Sequence, residues 1–197
     1  MANNLAFKSK YYLCKIHFNK LRGTFKYLVI LFCLLSFGFQ QPSNFDANSK
    51  IKGVFLYNFT KYFEWSDDKK AGNFVIYIVG KNDNLVNELK NLAAKKKVGN
   101  QDIEIKNTPN FDGSTSSHII YFTPDNAIKV VGEAASKIKN KSTLLVSERP
   151  GACKSGGSIN FIYIENKLKF EYNKHAAVKA GLKTNDDFKS LAATNCD

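Results

Sequence analysis

The chain predicts an α/β fold, a single-domain sandwich with a central mixed, mostly parallel sheet, helices on both faces and a C-terminal β-hairpin. Three observations carry the prediction. Runs of β-branched and aromatic residues (FVIYIV at 74–79, IIYF at 119–122, TLLVS at 143–147) have the unbroken apolar character of strands buried on both faces. Segments with apolar residues at steps of three and four lie between them, as crossover helices would. Two alternating runs, INFIYI and LKFEY, flank Glu165-Asn166-Lys167 and close the pattern as a hairpin.

The elements follow in order. KIKGVFLYNFTKYFEW at 50–65 is read as one helix capped by Asn48 or Ser49, with Ile51, Val54, Phe55, Phe59, Tyr62 and Phe63 on an apolar stripe and Trp65 at its carboxyl end. Ser66-Asp67-Asp68 and Gly72 are its stop signal. Such a stripe packs on a sheet, with Phe55, Phe59 and Phe63 inward and the aromatic end partly exposed as a contact site. After the first strand and Gly80, Leu85, Val86, Leu89 and Leu92 mark a helix over 82–97 that ends in three lysines, beside its negative dipole end. DIEIK at 102–106 alternates as a half-exposed edge strand, and 107–117 is loop. Thr123-Pro124-Asp125 is expected to cap a helix bearing Ile128, Val131, Ala134, Ala135 and Ile138. Residues 148–157 are loop by composition, and a last helix over 175–193 is interrupted near Gly181.

Residues 1–38 read as an export signal, 39–49 as a tether and 50–195 as the folded domain. Six basic residues and no acid precede Tyr27, and residues 27–37 form an apolar run of h-region length. Ser36 and Gly38 approximate a small-x-small site, so cleavage is expected after Gly38; an uncleaved, membrane-anchored form is the alternative. The formal charge of +12 shrinks accordingly, because beyond the signal 23 basic residues face 17 acidic ones. The remaining lysine clusters end helices, where the dipole accounts for them, and export removes nucleic acid as a partner. Of four cysteines, Cys14 and Cys33 fall in the signal and Cys153 and Cys196 in the exported part. An oxidising compartment permits the latter two to pair, tethering the terminus to the loop after Pro150; two unpaired thiols are the other reading.

Chemical signatures are sparse. No Gly-x-Gly-x-x-Gly follows the first strand, and Gly151-Ala152-Cys153-Lys154-Ser155 fails as a phosphate loop because Cys153 stands where glycine must precede the lysine. His17, His118 and His175 are isolated from carboxylates or cysteines at metal-ligand spacing, and no nucleophile elbow exists. The residues assign no catalytic group, cofactor or metal. A crevice at the carboxyl ends of the middle strands, serving a small ligand or a reaction, is the rival use of such a sheet.

Lys52, Phe55, Leu56, Tyr57, Asn58, Phe59, Lys61, Glu64 and Trp65 form an aromatic signature that resembles the N-terminal motif of the YfiR-like family of bacterial periplasmic proteins. Gly156-Gly157-Ser158-Ile159-Asn160-Phe161, Leu168-Lys169-Phe170-Glu171-Tyr172-Asn173 and Ala180-Gly181-Leu182-Lys183 resemble its closing hairpin and helix in order and spacing, so the likeness spans 50–193. The resemblance implies a periplasmic, non-enzymatic regulator without a cofactor, which binds a membrane signalling protein, a diguanylate cyclase or a histidine kinase, and so acts on cyclic di-GMP or kinase output. It leaves room for a homodimer. It also points to Tyr62 and Trp65 as partner contacts. The family's regulatory cysteine bridge lies around the loop before the hairpin, where this chain has only Cys153, so redox control is not carried over.

Overall fold

The computed structural model describes residues 47–185 and 187–196. The expected signal, its cleavage point after Gly38, Cys14, Cys33 and His17 lie outside the described residues. Helix α1 (Ala47–Phe59) is followed by strand β1 (Phe63–Glu64), a 3-10 turn (Asp67–Lys70) and strand β2 (Phe74–Val79). Then come α2 (Asp83–Ala93), β3 (Lys97–Val98), β4 (Gln101–Thr108), β5 (Ile119–Phe122), α3 (Ile128–Lys137) and β6 (Leu144–Ser147). The chain closes with β7 (Ile159–Ile164), β8 (Lys167–Tyr172), α4 (Lys174–Lys179), β9 (Lys183–Thr184), α5 (Asp187–Leu191) and β10 (Thr194–Asn195).

Eight strands form one sheet in the order β10-β8-β7-β6-β5-β2-β4-β3. Strands β4, β2, β5, β6 and β7 run parallel, whereas β8 turns back on β7 from Ile159↔Tyr172 to Ile164↔Lys167. The expected α/β sandwich with a mostly parallel sheet and C-terminal hairpin is the observed one. Among the parallel strands the order is that of a doubly wound sheet, 2-1-3-4-5, with its reversal between β2 and β5. The two-residue pleat sends Phe74, Ile76 and Ile78 to one face and Tyr77 and Val79 to the other, which explains why β2 is apolar throughout. The first face is covered by α1, α2 and Phe188 of α5, the second by α3 and Ala180 after α4. Gly80 ends β2 with φ +106°, and a Cβ there would collide with Thr123 Oγ1, so only glycine lets β2 and the turn after β5 meet this closely.

Several boundaries differ from expectation for identifiable reasons. Helix α1 is already formed at Ala47, so Asn48 and Ser49 lie inside it, and it stops at Phe59, not Trp65. Its buried face is Ser49, Lys52, Gly53, Leu56 and Phe59, while Ile51 and Val54 are 43% and 45% exposed. The helix is thus rotated by about one residue, roughly 100°, from the face that hydrophobicity selects. One contact sets the rotation. Lys52 is drawn inward by Glu148, with Nζ to Oε2 at 2.7 Å and both side chains about a tenth exposed, while Tyr121 donates its hydroxyl to the same Oε2 at 2.6 Å. Gly53 on the same face lies toward Leu85 and Leu89 of α2. Helix α3 begins at Ile128 with Ala127 as its cap residue, because Thr123, Asp125 and Asn126 hydrogen-bond among themselves in a separate turn. The last segment is two short helices separated by β9, which Gly181 at φ +89° permits.

Candidate partner-binding groove around Trp65

Beyond Phe59 the chain changes period from helix to strand. Thr60, Lys61 and Tyr62 turn back on the last helical carbonyls, and β1 then pairs antiparallel with β9 through Phe63↔Thr184 and Glu64↔Lys183. Alternation along this ribbon turns Phe63 and Trp65 inward and leaves Glu64 exposed. Trp65 is 9% exposed, so the expected exposed indole is corrected to a buried one. Its Nε1–H donates to the His118 carbonyl at 3.1 Å, and its ring meets Phe74 edge-on at 4.9 Å. Tyr62 is half-buried and packs against Phe188 with ring centroids 5.3 Å apart.

His118 organises the floor behind Trp65. Its Nδ1 accepts from the Val75 backbone N–H at 2.9 Å, which assigns the ring proton to Nε2, and Nε2 donates to the Lys69 carbonyl at 2.7 Å. The imidazole stacks on Phe74 at 4.3 Å, and burial lowers its pKa below the ordinary value, so it is neutral. The residue is thereby committed to structure.

The residual edge of Trp65 opens onto a groove of about 420 Å³. Phe63, Trp65 and Phe74 line it with Val98 of β3, and Glu64 and Lys70 belong to the same lining. The 3-10 turn beside it is anchored by Gln101 Nε2, which donates to the carbonyls of Lys69 and Gly72 at 2.9 and 3.1 Å. A groove whose open surface is mostly apolar and aromatic, with two opposite charges in its lining, accepts a hydrophobic side chain or short segment. Sequence reasoning located Trp65 and read His118 as structural, which it is, but missed Val98 and Gln101, whose roles come from strand pairing and leave no short motif.

The other expected site lies at the opposite side of the sheet. Cys153 and Cys196 are joined as a disulfide with Cα atoms 6.2 Å apart, linking the turn after Pro150 to the end of β10. Glu171 is the carboxylate nearest the two sulfurs, the three groups lying within 4.8 Å, and it accepts from Asn160 Nδ2 at 2.8 Å. With both sulfurs bridged, Glu171 is the sole metal ligand of that cluster.

No helix of the described residues is long and apolar enough to cross a membrane. No curated protein matches the chain. The model of the YfiR/HmsC-like family matches residues 49–193, from the first turn of α1 to the approach to β10, taking in the groove and the closing hairpin. The chain belongs to the YfiR/HmsC-like family.

Proposed function

We propose that this chain is an exported regulatory protein that binds the extracytoplasmic part of a membrane signalling protein, a diguanylate cyclase or a histidine kinase, and sets its output. Membership of a family known for regulating diguanylate cyclases, and regulatory rather than catalytic, supports the reading. The observation that carries it is the aromatic groove, in which Phe63, Trp65 and Val98 form an apolar recess. Residues 1–38 act as the signal, Gly38 precedes the cleavage point, and the mature domain works in the periplasm. Tyr62 supports the contact from beside the groove, and Trp65 forms its floor.

Helix α1 is tied to the carboxyl ends of β5 and β6 by the Lys52, Glu148 and Tyr121 cluster. Affinity purification of the tagged chain from solubilised membranes tests the proposal. The expected companion is a membrane protein carrying a cyclase or kinase domain. A chain that returns alone, or with a tightly held small molecule, contradicts it.

A further inference from the structure

A second cavity, separate from the aromatic groove, lies at the amino ends of β5 and β6, enclosed by the 111–117 loop and the end of α3. Its volume is about 190 Å³, several times the roughly 30 Å³ share of one liquid water. Lys69, Lys137 and Lys141 line it together with Phe111, Ser117 and Thr143, and no acidic residue does. Among the described residues no carboxylate forms an ion pair with any of the three lysines. The nearest acids are otherwise engaged or remote from the cavity wall. Asp112 accepts from the Ser114 and Thr115 backbone N–H groups and the Thr115 hydroxyl, which hold its pKa down to about 2. Asp68 influences Lys69 only through space.

The cation cluster therefore has no carboxylate partner among the described residues. Lys69 is half-buried, with Nζ donating to Ser116 Oγ and the Ser117 carbonyl at 3.0 Å each, and a third proton remains for a ligand. Burial lowers its pKa from the ordinary value, Asp68 opposes that shift, and Lys141 reinforces it. Lys137 is drawn over the loop, its ammonium 5.5 Å from the Phe111 ring centre, and Gly113 comes so close to it that a Cβ there would clash with the Lys137 side chain. Lys137 and Lys141 thus bring two further ammonium groups, neither with a carboxylate partner among the described residues, to the cavity that Lys69 lines.

We propose that this cavity binds a small tetrahedral oxyanion, phosphate or sulfate, held by Lys69, Lys137 and Lys141. Three lysines lining one cavity suit an anion with several equivalent acceptor oxygens, and the volume admits such an ion but not a large ester. Lys69 links the site to the groove, because its carbonyl accepts from His118 Nε2 behind Trp65.

Titration calorimetry on the purified chain, with sodium phosphate and sodium sulfate compared against sodium chloride at matched ionic strength, tests the site. One-site saturable binding of either oxyanion is expected, weakened at least about tenfold in K137A/K141A, as loss of charge-assisted bonds predicts. Both lysines are exposed, so the double variant keeps the wild-type unfolding temperature in the absence of oxyanion. A heat that follows ionic strength alone, or oxyanion binding as tight in the double variant as in wild type, overturns the proposal.

Discussion

Replacement of Trp65 by alanine probes both the fold and the groove. Trp65 is 9% exposed, meets Phe74 edge-on and donates to the His118 carbonyl. Truncating a buried tryptophan to alanine costs about 3–5 kcal/mol, and because one edge of this indole already faces an open groove the lower end applies, about 3 kcal/mol. Trp65→Phe keeps the ring contact and loses only the N–H donor. The His118 carbonyl still accepts from the Leu144 N–H at 2.8 Å, so about 1 kcal/mol is expected. With a urea dependence of about 2 kcal/mol per molar, the midpoints fall by about 1.5 M for W65A and about 0.5 M for W65F. Urea unfolding followed by far-ultraviolet circular dichroism measures both, since Trp65 is the chain's single tryptophan and its removal abolishes the fluorescence signal. A W65A midpoint within about 0.3 M of wild type would refute the buried indole as a structural element.

Three further outcomes follow from the same contacts. Lys52→Met leaves Glu148 buried with only the Tyr121 hydroxyl, so a loss of about 3 kcal/mol is expected, and Lys52→Met with Glu148→Gln should recover at least half of it; equal midpoints for the single and double variants would contradict the buried pair. The His118 pKa is lowered by burial, so the unfolded chain binds the proton more readily. Stability is therefore level above the unfolded value of about 6.5 and falls as pH drops through it, by at most about 1.4 kcal/mol per unit, whereas His118→Asn flattens this slope in urea titrations at several pH values. Cys196→Ser opens a bridge spanning 43 positions, for which chain entropy predicts a loss of up to about 4 kcal/mol; alkylation of natively exported protein should label neither cysteine before reduction and both after.

The strands were legible because each is a continuous apolar run, and the hairpin because Glu165-Asn166 falls between two alternating ones. Both of those residues adopt positive φ, 50° and 59°, as such a turn requires. The orientation of α1 was not legible. Hydrophobicity selects Ile51 and Val54, but the buried face is decided by a lysine that finds a carboxylate 96 positions away. The end of α1 was equally hidden, since Phe63 and Trp65 continue an aromatic pattern at helical spacing while their pairing with β9 is a long-range event. The groove was half legible: its tryptophan stood out, but its wall comes from the β3–β4 turn, whose polar residues carry no signal. The proposed oxyanion cavity was not legible at all, because Lys137 and Lys141 read as a helix-end cluster that the dipole accounts for, and only the fold brings Lys69 to them.

The central claim is that the groove beside Trp65 receives a membrane signalling protein, and the most direct measurement is quantitative capture with and without an obstruction there. Asn100 is exposed, lines the groove and sits in the β3–β4 turn, so Asn100→Arg places a long cation over the apolar recess without entering the core. Wild-type chain should retain a cyclase- or kinase-bearing membrane protein, and N100R, with an unchanged unfolding midpoint, should retain at least about tenfold less. Equal retention by the two proteins, or no such companion for wild type, would contradict the account.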